Sequence, residues 1–300
     1  MAEWSDYEYR EEGWKKYLEG LIPLIILILI GVIIASRMGW IDIPFLRRDE
    51  RVRVAVLGDL RGEQANDPAR INAPYLASYI EGDHRYEKTE WTDLEVLEVA
   101  GQDVLDDFDL VILAGERQFS PRVKEEIGGY ISNGGKVILI GDAAIHDENR
   151  PEVIGWEVGD LAGTFPVRIS PNVKRGDIDD PERIISTQDR NLTFSFIDTN
   201  HDIYERAGIG YGMDLDEIED VAPECVEGIT SLPVTTGTGG GDIISVISGI
   251  SERTNQTKTI IGIAEREGAL GRGHVMYFPY DPGCMPTIFD EAVRHMVRGF

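Results

Sequence analysis

The sequence predicts an α/β domain on a doubly wound parallel sheet, preceded by an N-terminal transmembrane helix and interrupted by a β-rich insertion. Three observations predict it. VRVAVL at 52–57, LVILA at 110–114 and KVILI at 136–140 are nearly continuous apolar runs, and each ends in Gly-Asp or Gly-Glu. Buried parallel strands have this form where they give way to polar loops. Amphipathic stretches at helical spacing separate the runs, which is the alternation of βαβ units. Finally, Gly20–Ser36 holds no charged side chain.

The elements follow in order. Residues 1–19 form a tail and 20–36 the span, whose length is near the lower limit for a hydrocarbon core of about 30 Å. Trp14 and Tyr17 before it and Trp40 after it suit an interfacial aromatic belt. An acidic tail and the lack of a small-x-small cleavage site argue against a signal peptide. Residues 37–50 read as a linker and 51–300 as the main domain. After the first strand, a helix is expected to start near Pro68, with Ile71, Tyr75, Leu76, Tyr79 and Ile80 on one face. Tyr86–Trp91 reads as a second strand. Ser120 is an N-cap with Pro121 at the first helical position, Val123, Ile127, Tyr130 and Ile131 follow at helical spacing, and Asn133-Gly134-Gly135 ends the helix. Residues 151–256 mix Gly, Pro and short β-branched runs, as hairpins and long loops would. KTIIGIA at 258–264 and HVMYF at 274–278 read as a hairpin. A last helix carries Ile288, Phe289, Ala292, Val293, Met296 and Val297 on one side.

Charge excludes one class of partner. The formal net charge is −25; residues 1–53 hold 8 basic and 9 acidic side chains, leaving 21 and 45 for the rest. A domain so acidic repels phosphate backbones, so nucleic acid is not an expected partner. Cys225 and Cys284 form no CxxC or zinc spacing; they pair if the domain is exported and remain thiols if it is not. Basic residues nearly tie across the span, with Arg10, Lys15 and Lys16 before it and Arg37, Arg47 and Arg48 after it. Lys15 and Lys16, immediately before the apolar run, favour an extracytoplasmic domain on a single-pass cell-membrane anchor. Two sequons, at Asn191 and Asn255, do not settle the side.

FDLVILAG, a helix, then ISNGGKVILIGDAA, and later GRGHVMYFPYDP, together resemble the class I glutamine-amidotransferase-like superfamily, over roughly residues 52–145 and 258–298. The resemblance implies a flavodoxin-like or amidotransferase-like sheet. It also points to membrane-attached, non-catalytic members of the gliding-type ABC-transporter auxiliary and oligosaccharyltransferase-subunit kinds. Active members carry a Cys on the sharp turn after the strand matching KVILI, and a His with an acidic partner after the strand matching HVMYF, because a thiolate must attack the amide carbon. Here the turn reads Gly141-Asp142-Ala143-Ala144, and Pro279-Tyr280-Asp281-Pro282 stands at the second place. The expected function is therefore a membrane-anchored binding or scaffolding subunit, with other membrane-protein subunits as partners, the bilayer contacted through Gly20–Ser36, and no cofactor.

Polar residues still gather where such sheets bind ligands, at the carboxyl ends of the strands: Asp59, Arg61, Glu116, Asp142, His146 and Asp281. Carboxylates and an imidazole on one edge suit a divalent cation, so a metal-dependent hydrolase using Asp59, Asp142, His146 and Asp281 is the alternative. The plain alternative to both is that Asp and Gly end strands and cap helices. A carbohydrate-binding surface is a third reading, resting on Tyr and Trp content, with Trp91 and Trp156 equally suited to the core. Gly237-Thr238-Gly239-Gly240-Gly241 lacks the Lys-Ser/Thr of a phosphate loop. His201 beside Asp202 would face opposite ways in a strand, while His84 and His295 read as surface residues. The run Asp214–Asp220 lacks EF-hand spacing.

Overall fold

A computed structural model describes residues 21, 23–32, 51–62, 71–95, 97, 102–157, 159–187, 191–209, 212–237, 240–268 and 273–298. Residues 1–50 with Phe300 form one unit and 51–299 another. In the first unit residue 21 and residues 23–32 are helical, and Leu21 and Leu24 through Ile30 are all exposed. Among the described residues no helix is long and apolar enough to cross a membrane. The remainder of the expected span, residues 20, 22 and 33–36, lies outside the described residues.

The second unit is α/β. Its strands are β1 (Val52–Gly58), β2 (Tyr86–Trp91), β3 (Leu110–Ala114), β4 (Gln118–Phe119), β5 (Lys136–Ile140), β6 (His146–Asp147), β7 (Arg150–Ile154) and β8 (Val167–Ile169). They continue with β9 (Glu182–Ile185), β10 (Thr193–Phe196), β11 (Met213–Asp214), β12 (Gly228–Ser231), β13 (Val234–Thr236), β14 (Asp242–Ser251), β15 (Thr257–Glu267) and β16 (His274–Phe278). The helices are α1 (Pro74–Gly82), α2 (Pro121–Ser132), α3 (Arg175–Asp179), α4 (Asp202–Ala207), α5 (Pro223–Glu227) and α6 (Pro286–Arg298).

One half of the main sheet is parallel, in the order β2-β1-β3-β5-β16. Every residue of β3 and β16 is buried, as the unbroken apolar runs require of strands covered on both faces. Val54 and Val56 face one core with Leu76 and Ile80 of α1 and Ile288, Phe289 and Ala292 of α6. Ala55 and Leu57 face the other with Val123 and Ile127 of α2. Helices on both faces make the sheet doubly wound. The other half is antiparallel: β15 pairs with β16, β14 with β15, and β10 and β9 both with β14. Much of the irregular stretch 151–256 thus extends the same sheet.

Ser120 Oγ accepts from the N–H of Val123 and starts α2 as its sequence directs. Helix α1 differs from expectation. It begins at Pro74, and Ile71 packs in the opposite core from Leu76. The cause is long-range: Asp281 accepts from the N–H groups of Tyr75 and Leu76 at 2.7 and 3.0 Å, supplying a cap that the local sequence lacks.

Candidate functional site

At the carboxyl edge the strand ends approach one another closely. Gly115 (φ +69) lies so near the Asp59 carbonyl that a Cβ would sit 1.8 Å from its oxygen, which leaves room for glycine only. Strands β4 and β6 pair in parallel and β7 joins β6, which zips together the loops leaving β3 and β5.

Each sequence-predicted site residue has a place here. Asp59 accepts from the N–H groups of Arg61 and Gly62 at 3.0 and 2.9 Å, an Asx turn. Arg61 reaches Glu81 at 2.6 Å. Glu116 accepts from the N–H of Gln118, and its carbonyl accepts from Ala144. Asp142 is fully buried: its Oδ2 is 2.9 Å from Arg117 Nε, and its Oδ1 accepts from the N–H of Ile71. His146 is buried on β6, where burial and then the Arg117 guanidinium push its pKa below the usual imidazole value. Asp281 also accepts from Gly283 at 2.8 Å. Burial pushes its pKa up to about 6 against the pull of the three N–H donors. Asp142 and Asp281 therefore both hold the segment entering α1. Arg117, which the sequence reading omitted, is the residue that ties Asp142 to α3, through a bond to the Ile178 carbonyl and an Asp179 contact at 3.6 Å.

The turn after β5, where the sequence resemblance would place a nucleophile, is sharp and carries no thiol or hydroxyl. Gly141 (φ +58) opens it, and Ala144, a buried non-glycine residue, holds φ +57. A non-glycine residue in this region is strained, as nucleophile elbows are. Its side chain is a methyl group. Cys225 on α5 and Cys284, in the turn after β16, form a disulfide. Trp156 is buried, with its Nε1 donating to the Ala143 carbonyl, and Trp91 stacks edge-on against Phe108.

A second cluster, missed in the sequence, lies at the amino edge of the parallel strands. His201 caps α4, Glu265 and Glu267 lie near the end of β15, His274 opens β16 and His295 sits on α6. His201 Nε2 is 2.8 Å from Glu265 Oε1, while His274 Nε2 and His295 Nε2 are 3.0 and 3.2 Å from Oε2. Burial opposes ionisation of Glu265, but the three imidazoles around it, His201 and His274 hydrogen-bonded and His295 in close contact, hold its carboxyl well below the usual range. The same carboxylate raises His295. His295, expected at the surface, has a side chain only 16% exposed. His201 and Asp202, expected to diverge, both turn toward it: the two rings are 4.7 Å apart, and Asp202 Oδ2 is 3.7 Å from His295 Nδ1. The start of a helix replaces the strand geometry that would have separated them.

No protein-family model matches the chain, and no curated protein matches it in sequence. Solved structures do. A ThuA-like protein from Bacteroides uniformis is similar at a TM-score of 0.51 and 10% identity, covering 85% of this chain and 95% of that one. It has a class I glutamine-amidotransferase-like fold, and the present chain shares that fold. A cytoplasmic protein from Salmonella typhimurium is similar at a TM-score of 0.44 and 12% identity, over 81% of this chain and 98% of that one. A β-galactosidase from Rahnella sp. R3 is similar at 0.46 and 13%, over 82% of this chain, which spans 31% of the galactosidase.

Proposed function

We propose that this chain is a membrane-anchored, non-catalytic amidotransferase-like domain serving as a binding or scaffolding subunit of a membrane assembly. The observation that carries the reading is the turn after β5: Gly141-Asp142-Ala143-Ala144 is sharp, with Gly141 and Ala144 at positive φ, and offers neither a thiol nor a hydroxyl. Both thiols are consumed in the Cys225–Cys284 bond, so neither can attack an amide. Asp281, at the second position where chemistry would be sought, caps α1. The anchor is supported by Leu21 and Leu24 through Ile30, which expose only aliphatic surface, the kind a bilayer covers. An oxidising, extracytoplasmic location is supported by the disulfide, since such bonds persist mainly outside the cytosol. What supports a partner-binding role is an extensively packed domain whose turn after β5 carries no nucleophile.

The test takes the full chain, purified in detergent, and measures ammonia release from glutamine. No release above background is expected. Release that persists when Cys225 and Cys284 are both replaced by alanine would overturn the reading. Anchoring is checked separately by carbonate extraction of membranes, where recovery of the chain in the supernatant would refute it.

A further inference from the structure

The amino-edge cluster does not depend on that functional reading. Its histidines differ in what stands behind them. His201 Nδ1 accepts from the N–H of Ile203 at 3.2 Å, so in the neutral ring the proton sits on Nε2, which donates to Glu265 Oε1. His201 thereby orients the carboxylate and leaves Oε2 facing the other two rings. His295 instead has the Asp202 carboxylate 3.7 Å from its Nδ1, within ion-pair range and beyond a direct hydrogen bond, on the side away from Nε2; a small rotation would give the carboxylate–histidine pairing that orients metal-binding imidazoles. Its Nε2 is buried and, although 3.2 Å from Oε2, is not aligned for a hydrogen bond.

We infer that this cluster binds one divalent transition-metal ion of the zinc class through His274, His295, Glu265 and Glu267, with His201 as a positioning residue. The donor atoms of Glu267, His274 and His295 lie within 4.8 Å of one another, as do those of His201, Glu265 and His295. Neighbouring donors around a tetrahedral ion with bonds of about 2.0–2.1 Å stand about 3.3 Å apart. The 3.0 and 3.2 Å separations between Glu265 Oε2 and the two Nε2 atoms already match that edge. Glu267 pairs with His274 across the β15–β16 ladder and lies two residues from Glu265, on the same face of its strand. Its exposed side chain can rotate inward to complete the shell. Two imidazoles with two carboxylates suit a borderline cation such as zinc, whereas calcium and magnesium prefer all-oxygen shells. Bound there, the ion clamps the last turns of α6 to the β15–β16 hairpin.

The experiment uses the full chain in detergent, without a histidine tag, stripped with chelator and titrated with zinc chloride by equilibrium dialysis. A parallel titration with cobalt(II) is followed by absorption spectroscopy. One tightly bound equivalent and the spectrum of a tetrahedral nitrogen–oxygen site are expected. His274→Ala and His295→Ala should each weaken binding about 100-fold or more, and His201→Ala about 10–100-fold, the range found for groups behind a ligand. Glu265→Gln keeps the side-chain shape and serves where an alanine variant does not fold. Failure of the unsubstituted chain to bind an equivalent of zinc would overturn the inference. So would unchanged affinity in a chain carrying both His274→Ala and His295→Ala, or selective binding of calcium over zinc.

Discussion

Replacing Asp142 with alanine strips a buried guanidinium of its nearer, buried counter-charge, leaving it the half-exposed Asp179 at 3.6 Å, and strips the Ile71 N–H of its acceptor. Asp142 is 0% exposed and the side chain of Arg117 only 7% exposed, with 2.9 Å between them. Water cannot readily take over the lost interaction, and breaking one partner of such a pair costs about 3–5 kcal/mol. At ~2–4 °C per kcal/mol for a domain of this size, the melting temperature should fall by about 6–20 °C. Near-UV circular dichroism reports it well, because Trp156 Nε1 donates to the carbonyl of Ala143, the next residue. Asp142→Ala combined with Arg117→Met removes both charges and replaces the guanidinium with apolar volume, so it should recover most of the loss. Pairs in contact show such non-additivity, and independent sites do not. A variant Asp142→Ala that melts within about 3 °C of the parent, or a double variant whose loss equals the sum of the two single ones, would refute the assignment of Asp142 to the support of this edge.

The disulfide and Asp281 give two further expectations. Cys225 and Cys284 are 59 residues apart, so chain entropy assigns their link about 4 kcal/mol; reduction, or Cys284→Ala, should lower the melting temperature measurably, and an unchanged value would show that the unfolded chain is constrained some other way. Asp281 has its pKa raised to about 6 from 3.8, so between those values the folded state holds more protons than the unfolded one, and stability should decline by about 3 kcal/mol as pH rises through that window. Its neighbours Tyr75 and Tyr280 do not titrate there, both being raised above 10 with burial as the leading cause. Asp281→Asn should be less stable overall, because its amide would meet a backbone N–H, yet denaturant titrations from pH 4 to 7 should lose this decline; an unchanged slope would trace the pH dependence to other groups.

What the sequence made legible was whatever a short window encodes. The strands β3 and β5 are unbroken apolar runs, and α2 carries its own cap at Ser120 and its own stop at Asn133, so each can be read without knowing its neighbours. Helix α1 was misplaced because its cap, Asp281, is 206 residues from Tyr75. The carboxyl edge was legible as a collection of residues, since strand ends and glycines mark it, but its pairings were not. Nothing in its own stretch of sequence singles out Arg117, and the parallel pairing of β4 with β6 brings its loop against Asp142.

The amino-edge cluster shows the same limit more sharply. His201 and Glu265 are 64 residues apart, and no motif links either to His295, because the antiparallel pairing of β15 with β16 and the return of α6 are what join them. One local signal was available. In the ladder between β15 and β16, Glu265 and Glu267 share a face and His274 lies opposite Glu267, so a hairpin assigned from KTIIGIA and HVMYF already puts two carboxylates beside an imidazole. Adding a helix that follows β16 and must run back toward the amino edge brings its late histidine, His295, to the same end. Reading acidic and histidine residues by strand face and direction, instead of by spacing along the chain, is therefore the step that converts a scattered set of charges into a candidate site.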